Sequence, residues 1–153
     1  MRAWRAAVIA GVAAFVALMG TTWGAMAAGG APFARVGDAI PMPLDGLSGD
    51  ADRGREIVVD RRRGNCLICH QAPLRDEPFQ GELGPDLAGV ANRLSSGQLR
   101  FRLVDQSRLN PDTLMPPYFR THGLWRVPVG QEGQPVLEAR EIEDIVAWLS
   151  TLR

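Results

Sequence analysis

Lysine is absent from this chain of 153 residues, and all 17 of its cationic side chains are arginine. A docking face ringed by lysine ammonium groups is therefore excluded, and any protein partner must be met through other contacts. Basic excess is missing too. The 17 arginines are balanced by 17 carboxylates, so nothing points to nucleic acid. Metal-ligating side chains are scarce, with two cysteines and two histidines in all. A zinc site built on the cysteine pair would need two further ligands, and the chain offers no third cysteine and only one histidine away from the pair. Strand patterning is weak as well. Apart from a short pairing expected within residues 126–136, no segment has the alternation of a strand, which removes the βαβ setting of a thioredoxin-like redox pair.

Against these absences stands Cys66-Leu67-Ile68-Cys69-His70, which contains both cysteines and sets a histidine directly behind the second. This is the spacing of covalent c-type haem attachment. Two thiols three positions apart can add across both vinyl groups of one porphyrin, and the adjacent imidazole then reaches the iron from the same side. A structural disulfide in an exported protein is the remaining alternative.

The first 27 residues supply the compartment that such attachment needs. Arg2 and Arg5 form a basic start, Ala6 to Met19 is apolar and uncharged, and Ala25-Met26-Ala27 offers a small-x-small cleavage site. Together they predict a secretory signal peptide over 1–27 and a periplasmic mature protein with no membrane segment. An uncleaved anchor is the alternative, because Ala6 to Ala28 is nearly long enough to span a bilayer. Cleavage would leave 126 residues, the size of one domain, carrying 15 arginines against 17 carboxylates.

Residues 28–48 are rich in Gly, Pro and Ala without helical period, and predict an extended tail or linker. A domain over 49–153 is expected to follow. Asp50 can cap a first helix that runs through Arg53-Gly54-Arg55-Glu56-Ile57-Val58 to Arg61-Arg62-Arg63, with Gly64 as a left-handed C-cap and the three cations as its solvated end. Gly54 inside this helix costs about 1 kcal/mol relative to alanine, which invites a close helix crossing. The last helix, over 138–153, is its natural partner. It gathers Ile142, Ile145, Val146, Leu149 and Leu152 on one face with Trp148 at the edge, and sets Glu143, Asp144, Ser150 and Thr151 opposite. Ser95 with Gln98 reads as a capping box opening another helix through Leu99–Val104, which ends before Asn110-Pro111.

If haem is attached, His70 fills one axial position. Met42, Met115 and His122 are then the candidates for the other. Met115 lies in Asn110-Pro111-Asp112-Thr113-Leu114-Met115-Pro116-Pro117-Tyr118, where prolines stiffen a loop able to hold a thioether against iron. A thioether is a soft ligand that raises the potential relative to two imidazoles. Met42 belongs to the tail, and His122 to an ordinary loop. Gly84-Pro85-Asp86-Leu87 follows the haem motif closely enough to bring the Pro85 carbonyl up to the His70 ring.

These features together resemble the class I cytochrome c fold, an all-α domain of a few helices wrapped around one covalent haem, with long loops. Within it the chain resembles the SoxX family, the small cytochrome subunit of the SoxAX complex. The likeness covers about residues 49–153. It is carried by Gly64-Asn65-Cys66-Leu67-Ile68-Cys69-His70, by Gly84-Pro85-Asp86-Leu87-Ala88-Gly89-Val90, by the Asn110–Tyr118 segment and by Glu143-Asp144-Ile145-Val146-Ala147-Trp148-Leu149. The long loop between Met115 and the last helix also matches that family.

The resemblance implies one haem c held by Cys66 and Cys69 with His70 and Met115 as axial ligands. It also implies a heterodimer with a SoxA-like cytochrome, action on a SoxYZ carrier protein, and a downstream cytochrome as electron acceptor. The activity implied is that of a periplasmic L-cysteine S-thiosulfotransferase, which couples thiosulfate oxidatively to a carrier cysteine. With both thiols consumed by haem and the iron six-coordinate, this chain would accept electrons and leave the sulfur chemistry to its partner. A free-standing electron shuttle is the competing reading, and fold alone does not separate the two.

Overall fold

Four α-helices and three single 3₁₀ turns make up the regular structure of residues 33–153, the part described by the computed structural model. The segment expected to be a signal peptide lies outside the described residues. The helices are α1 (Ala51–Val59), α2 (Val90–Arg93), α3 (Ser96–Asp105) and α4 (Ala139–Leu149). Among the described residues there is no strand, only an isolated bridge between Val36 and Ala39, and no helix long and apolar enough to cross a membrane. The pairing expected within 126–136 is replaced by turns, with Arg126, Gly130 and Gly133 all at positive φ.

Helix α1 begins as its sequence dictates. The Asp50 carboxylate accepts from the backbone N–H groups of Asp52 and Arg53, both at 3.0 Å, satisfying donors that the first turn leaves free. Its end differs from expectation. The helix stops at Val59, because Asp60 turns extended and its carboxylate takes the Arg62 N–H at 2.8 Å. Arg61–Arg63 therefore lie beyond the helix in a turn, and Arg63 pairs with Glu141. The left-handed residue is Asn65, at φ 49°, and not Gly64. Gly64 is required for space instead: a Cβ there would sit 2.7 Å from the Ile57 carbonyl oxygen and 3.2 Å from Cys66 Sγ.

Helices α1 and α4 cross at the glycine the sequence singled out. A Cβ on Gly54 would lie 2.0 Å from the Asp144 carbonyl oxygen, and one on Gly49 equally close to that of Glu143, so the backbones touch. Trp148 is buried one turn further along α4. Helix α3 opens with the expected Ser95–Gln98 capping box and packs on another side of α4, with Leu99, Phe101, Leu103 and Val104 buried.

Two features depart from the sequence reading for one reason, which is that α4 is enclosed on several sides. Glu143 and Asp144 were expected to face solvent, yet they are 3% and 2% exposed. Each accepts a two-pronged arginine. Glu143 takes Arg100 at 2.6 and 2.7 Å together with the Leu44 N–H at 2.9 Å. Asp144 takes Arg53 at 3.0 and 3.1 Å and the Asp50 N–H at 2.7 Å. Such forks satisfy a carboxylate that burial would otherwise penalise.

The segment expected to be a tail is the second departure. Its described part, 33–48, is mostly extended but packed: Ile40 and Leu44 are buried, the Ile40 N–H donates to the Gly97 carbonyl of α3 at 2.9 Å, and the Ile40 carbonyl accepts from the Arg100 guanidinium at 2.7 Å. Phe33 meets Phe119 edge-on at 5.4 Å. Packing therefore begins well before residue 49.

Candidate haem site

The loop that follows α1 tightens into a 3₁₀ turn over Cys66–Ile68. Side chains three apart eclipse one another in such a turn, so the two cysteines lie on one side of it. The N–H groups of Cys69 and His70 both donate to the Cys66 carbonyl, at 3.2 and 3.0 Å, and neither cysteine is in a disulfide. Burial pushes the Cys66 thiol up to about 11, partly opposed by a hydrogen bond with Tyr118. Burial likewise raises the Tyr118 phenol.

His70 is held from two directions. Its Nδ1 lies 2.7 Å from the Pro85 carbonyl oxygen, which can only accept, so Nδ1 carries the proton and Nε2 presents its lone pair outward. Gly84 supplies the surface on which the ring lies. A Cβ there would fall 2.3 to 2.8 Å from three ring atoms. The 81–87 segment is itself laced to the motif, with the N–H groups of Gly81, Gly84 and Leu87 donating to the carbonyls of Leu67, Cys69 and Gln71 at 2.7 to 2.8 Å. Sequence position thus delivers the Pro85 carbonyl to the ring that it was expected to meet.

Met115 is half-buried and packs against the hydrophobic core, and its N–H donates to Thr113 Oγ1 at 3.1 Å. Beyond it the chain is fastened to α3, since the N–H groups of Tyr118 and Phe119 donate to the carbonyls of Leu103 and Val104. The other two candidates are at the surface: Met42 is 70% exposed and His122 is exposed. A cavity of about 520 Å³ opens beside the Cys66–Ile68 turn, between the end of α1 and the 77–81 loop, and is lined by Val58, Leu67, Ile68 and Phe79 among others. None of Cys66, Cys69, His70 and Met115 lines it.

The donor set fits a covalently bound haem. Two thiols on one side of a tight turn, an imidazole of fixed tautomer and a thioether on a stiffened loop are soft and borderline ligands for iron. A protein-only metal cage is not formed, because among the described residues no three His, Cys, Asp or Glu side chains gather. Gly84 and Tyr118 are the site residues that sequence reasoning missed. Their signals were slight: a glycine immediately before the motif proline, and the chain's single tyrosine immediately after two prolines.

No family model matches the chain, and no curated protein does. Five chains of solved structures match. One belongs to the crystal structure of SoxXA from P. pantotrophus: it is 34% identical, the alignment covers 76% of this chain and 91% of that one, and the TM-score is 0.70. The helical fold, the motif order and a likeness of that extent lead to one conclusion, that this chain belongs to the SoxX family of class I cytochromes c.

Proposed function

We propose that this chain is the mono-haem, electron-accepting subunit of a periplasmic L-cysteine S-thiosulfotransferase, working in a heterodimer with a SoxA-like cytochrome. The observation that carries the reading is the likeness to SoxXA over nine-tenths of the matched chain. In this reading Cys66 and Cys69 form the two thioethers, His70 and Met115 are the axial ligands, and Pro85 holds the His70 ring in register. The bound haem c supplies a one-electron acceptor of raised potential.

The chain's own groups limit it to that share of the reaction. A carrier cysteine thiolate and the outer sulfur of thiosulfate form one S–S bond and release two electrons, so two one-electron acceptances complete each conjugation. No thiol remains to hold a sulfur intermediate once both cysteines are thioethers. With His70 and Met115 as its two protein ligands, the iron of a bound haem would offer thiosulfate no free coordination position. The hydrogen bond fixing His70 favours a rigid site, which suits electron acceptance because little has to reorganise on reduction. A downstream cytochrome would then re-oxidise the haem.

Reconstitution with single omissions tests the proposal. Thiosulfate, a SoxYZ-type carrier, an electron acceptor, a SoxA-like partner and this chain are mixed, leaving out each component in turn, and the carrier is weighed by mass spectrometry. Conjugate is expected only when both cytochrome chains are present. Conjugation by this chain alone would contradict the division of labour, and undiminished conjugation without it would assign it to a shuttle role.

A further inference from the structure

Tyr118 is the only tyrosine of the chain, is 7% exposed, and is used by nothing in the function proposed above. Its hydroxyl donates to the Gly64 carbonyl at 3.0 Å, across 54 residues of sequence. Gly64 stands two positions before Cys66, the first of the two proposed haem-anchoring positions. A Cβ on Gly64 would fall 3.2 Å from Cys66 Sγ, so the accepting peptide runs close beside that sulfur. At its other end Tyr118 is fixed by its backbone, with its N–H on the Leu103 carbonyl at 3.1 Å and its carbonyl accepting from Leu137 at 3.0 Å. Phenylalanine would fill the same volume without a hydroxyl to satisfy, so the buried phenol has a positional rather than a packing purpose.

Tyr118 stands three positions after Met115, with only Pro116 and Pro117 between them. We infer that Tyr118 is a positioning residue, a strut that ties the Met115 segment to the Cys66 side of the haem site, so that the thioether leaves iron only when the fold itself opens. The inference rests on the reading of His70 and Met115 as the axial pair. Exogenous imidazole must displace Met115 and swing its loop aside, and the Tyr118–Gly64 bond opposes that movement.

The test is an imidazole titration of the ferric holoprotein, followed by loss of the sulfur-to-iron charge-transfer band. Tyr118→Phe is expected to bind imidazole about tenfold more tightly than the parent, equivalent to ~1.4 kcal/mol. Gly54→Ala, which loosens the remote α1–α4 crossing, is expected to lower the melting temperature while leaving imidazole affinity within about twofold. Equal affinity in Tyr118→Phe and parent, or an equal gain in Gly54→Ala, would overturn the strut. A parent protein without the charge-transfer band would instead overturn the Met115 assignment, and the strut with it. Should Tyr118→Phe fail to assemble, heating the parent protein decides the matter: the band and the far-ultraviolet helix signal are expected to be lost together, and loss of the band well before the helices would contradict the strut.

Discussion

At the scale of single residues, the site is governed by what glycine permits. The imidazole of His70 can lie against the 81–87 chain only because Gly84 has no side chain, and only there does Nδ1 reach the Pro85 carbonyl. Gly84→Ala is therefore expected to displace the ring, break that hydrogen bond and at least halve the ferric charge-transfer band, as read from the optical spectrum of the purified holoprotein. Gly123→Ala is the control, because its Cβ would meet nothing within 4 Å and any strain stays local to a surface turn at positive φ. An unaltered spectrum in Gly84→Ala would refute the cradle. Contiguity explains what was legible here. Cys66, Cys69, His70 and Pro85 can be read from a motif and a short spacing, whereas Gly84 and Tyr118 derive their roles from atoms that only the tertiary fold brings near.

At the scale of elements, the α1–α4 crossing and the ion pairs around α4 hold the domain together. Alanine is ordinarily better than glycine inside a helix by about 1 kcal/mol. At Gly54 the sign should reverse, since the new Cβ would meet the Asp144 carbonyl at 2.0 Å; a loss of about 1–3 kcal/mol or more in urea denaturation is expected from overpacking. A stabilised Gly54→Ala variant would show that the helices do not cross as described. Glu143→Ala should cost about 3–5 kcal/mol, because it leaves the buried Arg100 guanidinium without its counter-charge. The double variant Arg100→Met with Glu143→Leu should recover much of that loss, and a single-variant cost below about 1 kcal/mol would contradict the role given to the pair.

Local chemistry was legible at this scale and remote chemistry was not. The Ser95–Gln98 box and the Asp50 cap are encoded within four residues, and both helices begin where those residues stand. The end of α1 was misread because Gly64 suggested a conformational need, while its actual constraint is the nearness of Ile57 and Cys66. Glu143 and Asp144 were assigned to solvent by polarity alone. Their arginine partners lie 43 and 91 residues away, a separation that helical periodicity cannot register.

At the scale of the whole molecule, one domain presents one haem-binding motif, and the N-terminal segment from residue 33 is part of its packing. With no lysine on its surface, recognition must rely on arginine, carboxylate and apolar contacts such as the exposed Ile68 between Cys66 and Cys69. The central claim is that electrons released from thiosulfate arrive at the haem of this chain while the new sulfur–sulfur bond forms elsewhere. Anaerobic stopped-flow spectroscopy of the reconstituted complex measures this directly, by following reduction of this chain's haem after thiosulfate is added. Reduction is expected only when the SoxA-like partner and the carrier protein are both present, and in step with conjugate formation; reduction by thiosulfate without either of them, or conjugate accumulating while this haem stays oxidised and no acceptor drains it, would contradict the account.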